Sequence, residues 1–212
     1  MSINVVFPVP IFETTIDLEL SQDVINLLYM QSFGNRPNSH KAHNSYVGYN
    51  DNDNILENKL LVSLKQKLET CLALFVEQYG MRKEYWYIGK SWITATGQAG
   101  NINMHNHTHH GGILSGVVYI DAPENCGGIV FINPFPFRDR IPFEKETNEN
   151  KSYHKIEATT GKVLLWPSSL NHTTEPNQNS AMRLSIAFDM FYINKHFGVP
   201  PQDILDKIHG SK

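Results

Sequence analysis

The densest chemical signal in the chain is His105-Asn-His107-Thr-His109-His110. With 10 histidines in 212 residues, a six-residue window should hold about 0.3 by composition, and this one holds four. The run sits inside the chain, away from the ends where an affinity tag is placed. His105 and His107 are separated by one residue. On a strand, such residues share a face about 6.5–7 Å apart, so both imidazoles can turn toward one ion. A third ligand has to come from elsewhere, and the best candidate is His172, in Trp166-Pro-Ser-Ser-Leu-Asn-His172 behind an apolar strand. Imidazole suits Fe, Zn, Cu or Ni, so the histidines alone leave the metal open. The bland alternative is a set of hydrogen-bonded sheet-edge histidines. His109 and His110 fit the mouth of a site or its solvent face better than its ligand set.

Eleven residues after His172, Arg183 opens an otherwise apolar strand with Ser185 at i+2. Burying a guanidinium there is costly unless an anion pairs with it. Arginine offers a fork that matches a carboxylate bidentately, and Ser185 shares its face and can add a hydroxyl donor. A metal beside a carboxylate-binding arginine describes a site for a chelating dicarboxylic acid. Asp121, Glu124 and Asp139 could in principle add a carboxylate ligand, but each reads as part of a solvated loop.

The elements that must position these groups divide the chain in two. Residues 1–84 begin with an extended, proline-broken segment, Phe7-Pro-Val-Pro-Ile-Phe12. A short helix follows from an N-cap at Ser21, carries Val24, Ile25, Leu27 and Leu28, and ends at Gly34. The stretch from Gly34 to Asp53, rich in Asn, Ser, His, Tyr and Gly, reads as loop or lid. Ile55 to Tyr79 is the clearest helix, with Leu56, Leu60, Leu64, Leu68, Leu72 and Phe75 on one stripe and Gly80 as its stop. Cys71 reads as a small packed residue within it.

From residue 85 to 196 the pattern becomes β-branched and aromatic runs bounded by turn residues: 86–88, 91–96, 116–120, 128–132, 162–166 and 183–191. Several short strands with no helical pattern between them predict antiparallel sheets in a sandwich or barrel. Residues 134–152 read as a long loop, and 197–212 as a short terminal helix. All of this fits one domain, with 1–84 supporting an 85–196 core. Lys and Arg number 18 against 21 Asp and Glu, a net charge of −3 that gives no footprint for nucleic acid. No window approaches the roughly 20 apolar residues of a membrane span, and the first residues lack signal-peptide character. Two cysteines are too few for a disulfide framework, so a reduced cytoplasmic protein is expected.

Taken in order, several stretches resemble the Fe(II)/2-oxoglutarate oxygenases, in particular a bacterial and phage branch related to prolyl hydroxylases. The stretches are His105-Asn-His107, Leu114-Ser-Gly-Val-Val-Tyr119, Gly127-Gly-Ile-Val-Phe131, Gly161-Lys-Val-Leu-Leu-Trp-Pro-Ser168, His172-Thr-Thr-Glu-Pro-Asn177 and Arg183-Leu-Ser185. Each is weak alone, and their order and spacing carry the resemblance over roughly Ser91 to Tyr192. It implies a mainly β protein with flanking helices, its core a double-stranded β-helix (jelly roll, cupin-like) holding Fe(II) at its mouth. By position, His105, His107 and His172 would bind the iron. Arg183, with Ser185 and Tyr119, would grip the distal carboxylate of 2-oxoglutarate. The reaction would use O2 to hydroxylate a small-molecule or peptide substrate.

At position 107 most members of that family carry Asp or Glu, and this chain carries histidine. Either three histidines form the site, or His107 stands behind it and water or an anion fills the gap. The rival reading is a cupin-like three-histidine metalloenzyme, a dioxygenase or isomerase that does not use 2-oxoglutarate. It accounts for the missing carboxylate but not for Arg183-x-Ser185. A non-catalytic metal- or sugar-binding β-sandwich is weaker still. Tyr119, Trp92 and Trp166 also have a plain reading as sheet and core packing.

Overall fold

The β-branched and aromatic runs of the second half pair into two antiparallel sheets. The structure, a computed structural model, describes residues 8–33, 42–48, 54–82, 86–108, 111–135, 142–148 and 150–193. Among these, the elements run β1 (Phe12–Thr15), α1 (Gln22–Phe33), β2 (Ala42–Gly48), two 3-10 turns (Ile55–Glu57 and Lys59–Leu61) and α2 (Val62–Gln78). There follow β3 (Trp86–Ile102), β4 (Leu114–Asp121), β5 (Gly128–Ile132), β6 (Tyr153–Glu157), β7 (Lys162–Pro167), β8 (His172–Thr174) and β9 (Arg183–Tyr192). The larger sheet has the order β1-β7-β4-β9-β3-β2 and the smaller β6-β5-β8.

Alternation along the strands gives the larger sheet two different faces. On β9, Leu184, Ile186, Phe188 and Met190 join one apolar cluster with Leu64, Leu68, Leu72 and Phe75 of α2. Because successive side chains point to opposite faces, Arg183, Ser185, Ala187 and Asp189 are turned the other way. β4 and β7 do the same: Val118 and Leu165 pack toward the helices, while Val117, Tyr119, Leu164 and Trp166 pack against Ile129 and Phe131 of the smaller sheet. Phe131 and Trp166 meet across the two sheets edge to face, ring centroids 5.2 Å apart. The site residues therefore lie between the sheets of a double-stranded β-helix, and the helices brace the outside.

Close packing explains one glycine of the central strands. A Cβ on Gly116 would lie 2.6 Å from ring atoms of Phe188 and 2.7 Å from Leu165 Cδ2. Only a residue without a side chain lets Phe188 sit over β4.

The two helices read on described residues are present, with one shift of phase. Ser21 Oγ accepts the Val24 N–H at 3.4 Å, as an N-cap should. At the end of α2, Gly80 has φ +73° and donates its N–H to Glu77 O, while Met81 N–H reaches back to Val76 O. That is the glycine-terminated helix end in which stray carbonyls are satisfied. Leu60, expected on the buried stripe, is 54% exposed, and Leu61 is buried in its place. The segment before α2 turns as 3-10 helix at three residues per turn, which moves the buried position on by one.

The 34–53 stretch is not all loop. Residues 42–48 form β2, which pairs with β3 at the sheet edge, with Ser45 Oγ donating to Thr96 Oγ1 at 3.1 Å. The runs 86–88 and 91–96 are one strand, interrupted where the register slips between Ile88 and Lys90. The short strands β1, β6 and β8 were not anticipated, and β1 brings the N-terminal segment into the larger sheet beside β7. Residues 142–148 and 150–152 lie outside the strands and helices, in keeping with the loop read there. Phe7, Gly34, His109, His110, Asp139 and the terminal helix over 197–212 lie outside the described residues. Among the described residues no helix is long and apolar enough to cross a membrane.

Candidate active site

Three histidines from distant parts of the chain converge between the sheets. Potential ligand nitrogens of His105, His107 and His172 all lie within 4.8 Å of one another. Backbone pairing produces the approach: His105 N–H donates to His172 O and His172 N–H to His105 O, both at 2.9 Å. His107 N–H donates to Ser168 O, also at 2.9 Å, which pins the His-Asn-His segment against the turn between β7 and β8. Ring centroids are 4.4 Å apart for His105 and His172, 5.0 Å for His105 and His107, and 5.1 Å for His107 and His172. His107 and His172 are buried, and His105 is half-buried.

Each ring is oriented by an oxygen behind it. His105 Nδ1 lies 2.7 Å from Asn103 O, and His172 Nδ1 lies 2.9 Å from Leu170 O. His107 Nδ1 lies 2.8 Å from Asp189 Oδ1. An oxygen acceptor at Nδ1 fixes the proton there and leaves the Nε2 lone pair as the ligand, the arrangement usual for metal-bound histidine. Burial, and after it the neighbouring His105, pushes the His172 imidazole down to about 3. The ring is therefore neutral at ordinary pH, as a ligand must be. Three imidazoles, each with an oxygen behind Nδ1, fit a divalent first-row metal, Fe(II) included.

The wall next to this cluster is the inner face of β9. Arg183 is 2% exposed and donates Nη1–H to Cys126 O at 2.9 Å; among the described residues no carboxylate forms an ion pair with it. Ser185 stands opposite Tyr119 of β4 and Thr94 of β3. Burial pushes the Tyr119 phenol up to about 12, and the Arg183 charge pulls it partly back. The phenol therefore stays protonated and able to donate. Ala187 follows, and it is the one residue between Arg183 and Met190 that is not buried. β9 lies between β4 and β3, so this exposure comes from the space between the sheets.

The sequence reading brought together His105, His107 and His172 on one side and Arg183, Ser185 and Tyr119 on the other, and the structure puts both groups between the same two sheets. Asp121 is engaged elsewhere, accepting from Tyr29 Oη at 2.9 Å, and Glu124 is exposed. Trp92 and Trp166 are buried against the histidines: Trp92 is 5.2 Å from His107 and Trp166 is 5.0 Å from His172, ring centre to ring centre. The sequence reading did not pick out Asp189, Ser115 and Ser168. Ser115 Oγ donates to Asp189 Oδ1 at 2.7 Å and lies 2.9 Å from Ser168 Oγ. The signal for Asp189 was there, since it falls at an even offset from Arg183 and so on the same strand face.

Comparison with known proteins agrees with this architecture. No curated protein matches the sequence. The fold is shared with a prolyl-4-hydroxylase from Pseudomonas putida at 10% identity and a TM-score of 0.60, covering 87% of this chain and 93% of that one. It is shared with the viral collagen prolyl hydroxylase of Paramecium Bursaria Chlorella virus-1 at 14% identity and a TM-score of 0.52, covering 85% and 96%. A prolyl hydroxylase from Trichoplax adhaerens, solved with a hypoxia inducible factor peptide fragment, aligns at 16% identity and a TM-score of 0.50, covering 87% and 84%. Residues 90–189, which carry every site residue named above, match the family model for 2OG-Fe(II) oxygenases. Over that segment, a little under half of the chain, the sequence is similar to the Fe(II)- and 2-oxoglutarate-dependent oxygenase family.

Proposed function

We propose that this oxygenase holds Fe(II) on the Nε2 atoms of His105, His107 and His172 and takes 2-oxoglutarate into the space beside Ala187. Arg183 then pairs with the distal carboxylate, and Ser185 and Tyr119 supply hydroxyl donors. The observation that carries this reading is the inner face of β9. It offers a buried guanidinium whose protein partner is a carbonyl, and a short side chain reached by solvent between that guanidinium and the histidines. A buried arginine in that state is completed by an anion from outside the protein. When bound, Fe(II), 2-oxoglutarate and O2 together supply the oxidising power for hydroxylation, the cosubstrate leaving as succinate and carbon dioxide.

The chain's own residues bind and orient. The three Nδ1 contacts hold the imidazoles in one tautomer. The neutral Tyr119 phenol donates without adding a charge that would repel a dicarboxylate. Trp92, Trp166 and Phe131 keep bulk water from the deep side of the histidines. The prolyl hydroxylases of the same fold, one of them solved with a peptide, support a small molecule or a peptide as substrate. Two free, buried thiols, Cys71 and Cys126, suit the reducing cytoplasmic setting that keeps iron ferrous.

Anaerobic loading with Fe(II) followed by 2-oxoglutarate tests the assignment. A visible metal-to-ligand charge-transfer band is expected, and in Arg183→Ala it should disappear at 2-oxoglutarate concentrations that just saturate the wild type, while iron stays bound. Stoichiometric iron with no band would move the site to the cupin-like class of three-histidine enzymes.

A further inference from the structure

We infer that Asp189 is the carboxylate of this iron site, placed behind His107 instead of on the metal, and that it sets metal affinity through that ring. The inference rests on the three-histidine reading above. Non-haem iron sites of this class commonly have two histidines and one carboxylate, so the protein contributes one negative charge to the ion. Three imidazoles contribute none. The carboxylate nearest that role is Asp189, wholly buried, with Oδ1 at 2.8 Å from His107 Nδ1.

The placement is specific to one ligand. His105 and His172 have backbone carbonyls behind them, Asn103 O and Leu170 O, and His107 has the carboxylate of Asp189. His107 is also the position where the carboxylate ligand would otherwise be. A carboxylate accepting from Nδ1–H makes the ring a stronger donor at Nε2. The charge missing at residue 107 is thus returned through a hydrogen bond.

Asp189 is held for this purpose from several sides. Ser115 Oγ donates to Oδ1 at 2.7 Å, lies 3.2 Å from His107 Nδ1, and touches Ser168 Oγ at 2.9 Å. Gly112 lies beside the same group, where an added Cβ would come within 3.1 Å of Asp189 Cβ and 3.5 Å of Ser168 Oγ. An anion buried this deeply is costly for the metal-free fold. A cation on the far side of the imidazole offsets that cost.

A double-mutant cycle on the full chain tests this, with Fe(II) affinity measured anaerobically against a competing chelator and the melting temperature of the metal-free protein recorded alongside. Asp189→Asn keeps the shape and removes the charge. It should weaken Fe(II) binding by about 10- to 100-fold while leaving the metal-free melting temperature unchanged or raised. In a His107→Ala background the same substitution should have no further effect, because the ring that transmits it is gone. Unchanged affinity in Asp189→Asn, an equal loss in both backgrounds, or a loss matched by a fall in melting temperature would each overturn the proposal. Should Asp189→Asn not fold, Ser115→Ala removes only the hydroxyl donated to Oδ1 and is read by the same criteria. His107→Ala with unchanged affinity would instead defeat the three-histidine reading itself.

Discussion

Arg183 and Asp189 lie six residues apart on the same face of β9, so the strand carries a buried cation at one end and a buried anion at the other. At about 3.3 Å per residue the two Cα atoms are about 20 Å apart, with Ser185 and Ala187 between them. The cation faces the place proposed for the cosubstrate, and the anion backs a proposed metal ligand. In the proposed reaction one strand thereby bears on both the metal and the cosubstrate.

Replacing Arg183 by Ala should raise the 2-oxoglutarate Kd by about 100-fold, the loss of about 3 kcal/mol expected for a charge-assisted pair. Fe(II) affinity should stay within a few-fold. Titration of the charge-transfer band separates the two. Arg183→Lys should recover only part of the loss, because an ammonium keeps the charge but not the fork.

Enlarging Ala187 should block the cosubstrate without unfolding the protein. The side chain is partly exposed, so Ala187→Phe grows into the proposed cosubstrate site rather than overpacking a core. The expected result is no 2-oxoglutarate binding with a melting temperature near wild type. A variant that still binds the cosubstrate normally would place it elsewhere.

Gly116→Ala should behave in the opposite way. Its new methyl group meets Phe188 and Leu165 at well under contact distance. Overpacking of this kind costs about 1–3 kcal/mol, seen as a lower urea midpoint with an unchanged slope.

The metal-free protein should lose stability as the pH falls. His172 is held at about 3 in the fold against an ordinary 6.5, so the unfolded chain takes up a proton that the folded chain refuses. Its contribution is constant above pH 6.5 and declines as the pH drops from there toward 3, by up to about 1.4 kcal/mol per unit. Urea denaturation of wild type and His172→Gln between about pH 7 and about pH 4.5 measures the difference in slope. Equal slopes would show that His172 titrates normally.

The sequence carried most of this site because its chemistry is dense and local. His105 and His107 lie two positions apart on one segment, and Arg183 stands out as a charge in an apolar strand. Asp189 was less visible: its partner His107 is 82 residues away, and Asp189 itself sits inside Ala-Phe-Asp-Met-Phe as one more alternating residue. The core strands were legible for the same reason as the histidines, since runs such as 116–120 and 162–166 are strongly β-branched. β2, β6 and β8 were not. β2 is an edge strand of polar residues, β6 buries only Ile156, and β8 spans three residues, so none has enough apolar signal to declare itself. Leu60 and Leu61 differ for a geometric reason, because a 3-10 turn has a different period from the helix that follows it.

The alternation along β9 also limits how this protein can change over evolutionary time. Insert or delete one residue between Arg183 and Asp189, and the polar and apolar faces trade places beyond that point. Catalytic function and folding would fail together, so neither can be explored independently along this strand. Novelty has to enter through segments outside the strands, such as 142–148, which can lengthen or change without disturbing that register.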